Sequence, residues 1–149
     1  EPGLVEHLVK TGKAKLEFHY FPLRTSSVPA MIAAQCAAEQ GQFWEYGRRL
    51  FKEQAIADAV PAAQAGAALA AAFSTDKFKQ YAADLGLDAT AYAACLTGDS
   101  ASARVAADSR LVDQYDLPGT PSFVIDGKAV PNGSSVTVAD WVKLVETTK

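Results

Sequence analysis

The chain of 149 residues sets 14 Lys and Arg against 17 Asp and Glu, a net charge of −3, and carries two cysteines. That length suits one domain with a core of its own rather than two. An apolar share of 49% with 21% charged residues excludes a disordered chain and a coiled coil. No apolar run is long enough to span a membrane, and the weakly acidic balance leaves no electrostatic footprint for nucleic acid or anionic lipid. The first residue is Glu1 and the one methionine is Met31. No signal peptide is visible, so we expect a processed, trimmed or fragmentary chain.

Residues 4–10 (LVEHLVK) read as the end of a helix, stopped by Gly12 in the left-handed region. Residues 14–21 (AKLEFHYF) alternate and read as a strand. Pro22 breaks regularity, and Thr25, Ser26 and Ser27 are candidate N-caps before Pro29 in a first turn. A helix then runs to about Gln40, ended by Gly41.

From here alanine dominates: 26 of the 29 alanines lie between Ala30 and Ala107, and alanine is the best helix former. Phe43, Tyr46, Gly47, Leu50 and Phe51 recur at helical spacing and predict one apolar face. Trp44, Tyr46 and Phe51 could line a groove, but aromatic residues at such spacing more often belong to a core. Ala62–Phe73 reads as a helix of small side chains that should pack closely. Ser74 can cap the next helix, which carries Phe78, Tyr81, Ala82 and Leu85 on one face and stops at Gly86. Asp88 can cap a short helix holding Tyr92, Cys95 and Leu96, and Asp99 or Ser100 opens a long helix to about Tyr115.

The C-terminal part holds Pro118-Gly119-Thr120-Pro121, a strand at 122–125, Asp126-Gly127, a second strand at 128–130, a loop and a helix. Asp-Gly between two extended runs is a hairpin turn, since both residues tolerate positive φ. Thr137 can cap the last helix, with Val138, Trp141, Val142 and Val145 as its buried stripe. No internal repeat is present.

Four segments, in chain order, carry a resemblance. They are GKAKLEFHYFPL (12–23), AAQCAAEQGQFWEYGRRLFKEQ (33–54), LGLDATAYAACLTGD (85–99) and PGTPSFVIDGK (118–128). Together they resemble the second strand, the two parts of the helical insertion, and the cis-proline loop with its hairpin in DsbA-like thiol–disulfide oxidoreductases of the thioredoxin superfamily. The resemblance covers nearly the whole chain. It implies an α/β, thioredoxin-like fold (1–23 and 117–149) with an all-helical insertion (24–116), its first strand missing from these residues. That strand would lie between 14–21 and 122–125, so a segment outside these residues, a nicked peptide or another chain is expected to supply it.

The family's chemistry belongs to a Cys-x-x-Cys pair at the N-terminus of the first helix, where the helix end favours the thiolate. Glu1-Pro2-Gly3-Leu4 resembles the stretch just after that motif. No residue of 1–149 is therefore expected to be catalytic, and the pair is expected upstream of Glu1. The resemblance implies substrate contacts at Gly119, Thr120 and Pro121, with a cis bond before Pro121. It implies a structural disulfide between Cys36 and Cys95; two free, buried thiols are the alternative. Spacing supports no metal site, and no cofactor is expected. Of the histidines, His7 reads as solvated. His19 points to the opposite face from Phe18 and Tyr20, either as an ordinary sheet-face histidine or as a group that tunes a nearby thiolate, and Glu17 shares its face.

The function implied is formation or isomerisation of disulfides in exported proteins. The partners would be reduced or misfolded exported polypeptides and a membrane-bound redox protein, in a periplasmic or other extracytoplasmic compartment, with no nucleic acid. A kappa-like glutathione transferase or isomerase, and a redox-dead peptide-binding module, are the alternatives.

Overall fold

The structure, a computed structural model, describes residues 2–131 and 135–148. It is mostly helical, with one small sheet. Helix α1 (Pro2–Leu4) runs into a wider π-helical turn (Val5–Val9), in which Lys10 N–H reaches the carbonyl of Val5 at 2.9 Å. Then come α2 (Val28–Ala38), α3 (Phe43–Asp58), α4 (Ala62–Ala72), α5 (Thr75–Asp84), α6 (Ala89–Thr97) and α7 (Asp99–Gln114). The hairpin strands β1 (Val124–Ile125) and β2 (Lys128–Ala129) and helix α8 (Val138–Thr147) follow.

The chain divides into two compact units, Pro22–Ala107 and the pair of stretches Glu1–Phe21 with Asp108–Lys149. The second cut falls inside α7, earlier than the boundary at 116 drawn from sequence.

Local chemistry explains where the helices start and stop. The side chains of Ser74, Asp88 and Thr137 accept the backbone N–H of Lys77, Ala91 and Asp140 at 3.4, 2.8 and 3.2 Å, so these three caps stand where the sequence puts them. Four helical segments end on one pattern, with a left-handed residue closing paired backbone bonds. At Gly86, for example, the N–H of Gly86 meets the carbonyl of Ala83 and that of Leu87 the carbonyl of Ala82. Gly12 and Gly41 do the same, and Asp116, at φ 47°, does it for α7 without a glycine. The start of α2 differs from expectation. Thr25–Ser27 forms a 3-10 turn, and no side chain caps α2.

The helical unit is built around small residues and tyrosines. Ala33, Ala34, Cys36 and Ala37 of α2 are buried, as are Tyr46 and Ala57 of α3, Phe78, Tyr81 and Ala82 of α5, and Tyr92 of α6. One expectation holds here and one fails in part. Helix α4 packs on α3 yet buries none of its residues; alanine helices approach closely but have little side chain to bury. Phe51 is 76% exposed, so the aromatic face of α3 is not all core: Tyr46 points in while Phe51 and Trp44 point outward.

In the other unit, α1 and the π turn pack on α8. The approach is tight at Gly3, where an added Cβ would stand 2.7 Å from Val138 Cγ2. Leu8 and Trp141 are buried, and the Trp141 ring lies 4.8 Å from that of Phe123. Asp126 and Gly127 take φ 45° and 79°, the turn that fits the twist of a two-residue hairpin. Val124 pairs with Ala129 and Ile125 with Lys128.

The strand expected over 14–21 does not form. A strand exists only in a ladder, and the described sheet contains β1 and β2 alone. The segment keeps the side-chain period of a strand nonetheless. Phe18 and Tyr20 meet edge-on at 5.5 Å, while His19 reaches a different partner. The loop after β2 lies, at 132–134, outside the described residues.

Candidate functional site

The Gly119-Thr120-Pro121 loop sits between the end of α7 and β1. The α7 terminus fixes its start, with Leu117 N–H on the carbonyl of Val112 at 3.0 Å. Its end is fixed by the hairpin, with Val130 N–H on the carbonyl of Phe123 at 2.8 Å. Between them the Ser122 hydroxyl donates to the carbonyl of Gly119. The peptide bond between Thr120 and Pro121 is cis. Thr120 and Pro121 are exposed and Gly119 half-buried. The loop therefore presents backbone and a hydroxyl to solvent from a support pinned on both sides, an arrangement suited to hydrogen-bonding an extended peptide.

The cysteines lie elsewhere. Cys36 of α2 and Cys95 of α6 stand at disulfide distance, 2.08 Å, and neither sulfur is free. Cys36 is 1% exposed. A buried, paired sulfur is no nucleophile, so this pair can staple α2 to α6 but offers no thiolate for exchange.

Around it, Tyr92 donates to the Tyr46 oxygen at 2.6 Å, with the carbonyl of Ala33 3.1 Å from the same Tyr92 oxygen. Tyr46 donates to the carbonyl of Phe78 at 3.0 Å. Burial pushes the Tyr92 phenol up to about 12, the bond to Tyr46 pulling the other way. Burial, reinforced by the neighbouring Tyr92, pushes Tyr46 upward too. Both stay neutral and serve packing.

One feature of the second unit was not singled out from sequence. Asp108 is 4% exposed. Its Oδ2 accepts the backbone N–H of Tyr20 at 3.0 Å, and its Oδ1 stands 3.1 Å from His19 Nδ1. Glu17 Oε2 is 3.9 Å from His19 Nε2, on the face that alternation assigned to both. The sign of Asp108 was present in the spacing. Ala101, Val105 and Asp108 recur at i, i+4 and i+7, and the first two are buried. An acid continuing a buried stripe needs a specific partner. Among the described residues no group of three or more His, Cys, Asp or Glu side chains could hold a metal.

The family model described as Thioredoxin matches residues 2–147. No curated protein and no solved structure matches the chain. The chain belongs to the thioredoxin family.

Proposed function

We propose that the protein is a DsbA-type thiol–disulfide oxidoreductase that forms or rearranges disulfides in exported polypeptides. In this reading the fold is thioredoxin-like with an all-helical insertion. The observation that carries it is the match of nearly the whole chain to the thioredoxin family, whose members support redox chemistry. The cysteines at 36 and 95 are engaged with each other. The reactive Cys-x-x-Cys pair is therefore proposed to stand before Glu1.

The chemistry follows from sulfur exchange. A substrate thiolate attacks one sulfur of the reactive disulfide, and the other sulfur leaves as thiolate. A second substrate thiolate then attacks the mixed disulfide, so the substrate is oxidised and the reactive pair reduced. Gly119, Thr120 and Pro121 would hold the substrate extended during both steps. A membrane-bound redox protein would reoxidise the pair, in the periplasm or another extracytoplasmic space.

A redox-inactive peptide-binding module is the second reading, favoured by the bonded state of both cysteines. The test is oxidation of a reduced dithiol peptide by the intact protein, with any residues that precede Glu1. Turnover supports the oxidoreductase. Peptide binding without turnover supports the module, and conjugation of glutathione in place of exchange would assign a transferase.

A further inference from the structure

Helix α3 carries two faces. Tyr46 and Ala57, both buried, belong to the inner one. On the opposite side Trp44, Arg48, Phe51 and Ala55 recur at i, i+4, i+7 and i+11, within roughly 60° of arc at about 3.6 residues per turn, and all four are exposed. Helices α2, α4 and α5 pack on α3 and leave this side open. That spacing is the seam of a two-helix contact. Along one flank of the seam stand Glu45 and Lys52, exposed and opposite in charge. Glu45 holds Arg48 at 2.9 Å, a surface pair with both side chains exposed, and Lys52 has no ion pair among the described residues.

We propose that this face of α3 is an interface with a second copy of the chain, the two α3 helices crossing antiparallel about a two-fold axis near mid-helix. The occupant follows from the order of the groups. A two-fold contact is self-complementary, so a residue that meets a given position on the partner is met by its own counterpart in turn. A register centred between Arg49 and Leu50 sets Trp44, the largest side chain of the stripe, opposite the partner's Ala55, the smallest. It sets Arg48 opposite the partner's Phe51, where a guanidinium can lie on the ring. It also brings Glu45 within one turn of the partner's Lys52, and each of these contacts occurs twice. A partner of one sign of charge would match only Glu45 or only Lys52, whereas an inverted second copy matches both. The helix has 16 residues, about 24 Å of contact. That is at the small end for an interface, so the dimer forms at micromolar or higher concentration and a dilute sample is monomeric.

The experiment is sedimentation velocity of the full chain from about 1 μM to about 1 mM, a span that brackets weak association. The mass should rise with concentration from 15.7 kDa toward twice that value. Phe51→Ser should weaken association by about tenfold or more, since the ring is lost on both sides. Lys52→Glu, which sets glutamates against each other at both ends of the contact, should weaken it by about fivefold. Adding Glu45→Lys to that variant should restore it, because the swapped charges pair again across the axis. All three residues are exposed, and far-ultraviolet circular dichroism checks that each variant is folded. A chain that stays monomeric throughout overturns the inference. It does so even where vesicles of anionic phospholipid or an acidic helical peptide bind through Phe51, since the face then has another occupant. Association that Phe51→Ser leaves intact, or that the double charge reversal fails to restore, overturns it as well, because the contact then lies elsewhere or in another register.

Discussion

The helical unit, Pro22–Ala107, and the unit formed by Glu1–Phe21 with Asp108–Lys149 solve the problem of buried backbone differently. In the first, each helix satisfies its own N–H and C=O groups, so the core is left to small side chains, three tyrosines, Phe78, Leu87, Val105 and a staple. In the second, long stretches are extended, and extended backbone is satisfied only by another segment. There the hairpin is two residues deep on each side, and part of the backbone work passes to a side chain, Asp108, which holds Tyr20 N–H. The lesson is that one unit carries its stability in local, self-contained elements, while the other leaves the Thr120-Pro121 loop and its hydroxyl exposed.

Four substitutions would break or sharpen this division. The largest effect is expected from the staple. Replacing Cys36 and Cys95 by serine opens a closure of 59 residues; the chain-entropy model puts that loss at about 4 kcal/mol, read by denaturant unfolding. Next is alkaline unfolding. The folded state holds the Tyr46 and Tyr92 protons beyond the ordinary value of 10.0, whereas the unfolded chain releases them there. Stability is therefore full below that pH and falls as pH rises above it, by about 1.4 kcal/mol per pH unit for each phenol. Tyr92→Phe should make that limb shallower by one such share. Third, Asp108→Ala removes the acceptor of Tyr20 N–H and should cost about 1–3 kcal/mol. A null effect would mean that the extended segment is held by other means. Smallest is Phe51→Ser. Its ring is 76% exposed, and the change should stay within about 0.5 kcal/mol; a larger loss would mean that the ring is covered in solution.

What was legible in the sequence is what neighbours in sequence decide. Ser74, Asp88 and Thr137 cap because a hydroxyl or carboxylate can reach an N–H three residues on, and Gly86 stops a helix because φ must turn positive. Asp126-Gly127 makes its turn for the same reason. What was not legible depends on residues far away. The strand over 14–21 needs a ladder partner that no local pattern supplies. The aromatic face of α3 splits because Tyr46 turns toward Phe78 and Tyr92 while Phe51 stays exposed. The turn at Thr25–Ser27 had three candidate caps and uses none. Asp108 is 89 residues from His19, and only the buried stripe it continues could have drawn attention to it.

The central claim is that stability and chemistry are divided between the two units, with Cys36 and Cys95 belonging to the first. The most direct test is the exchange rate of the intact protein carrying Cys36→Ser and Cys95→Ser, measured where the variant is fully folded. The account predicts a rate within about twofold of wild type despite the lost stability. A folded variant slowed by about tenfold or more would contradict it and place the reactive sulfurs in the helical unit.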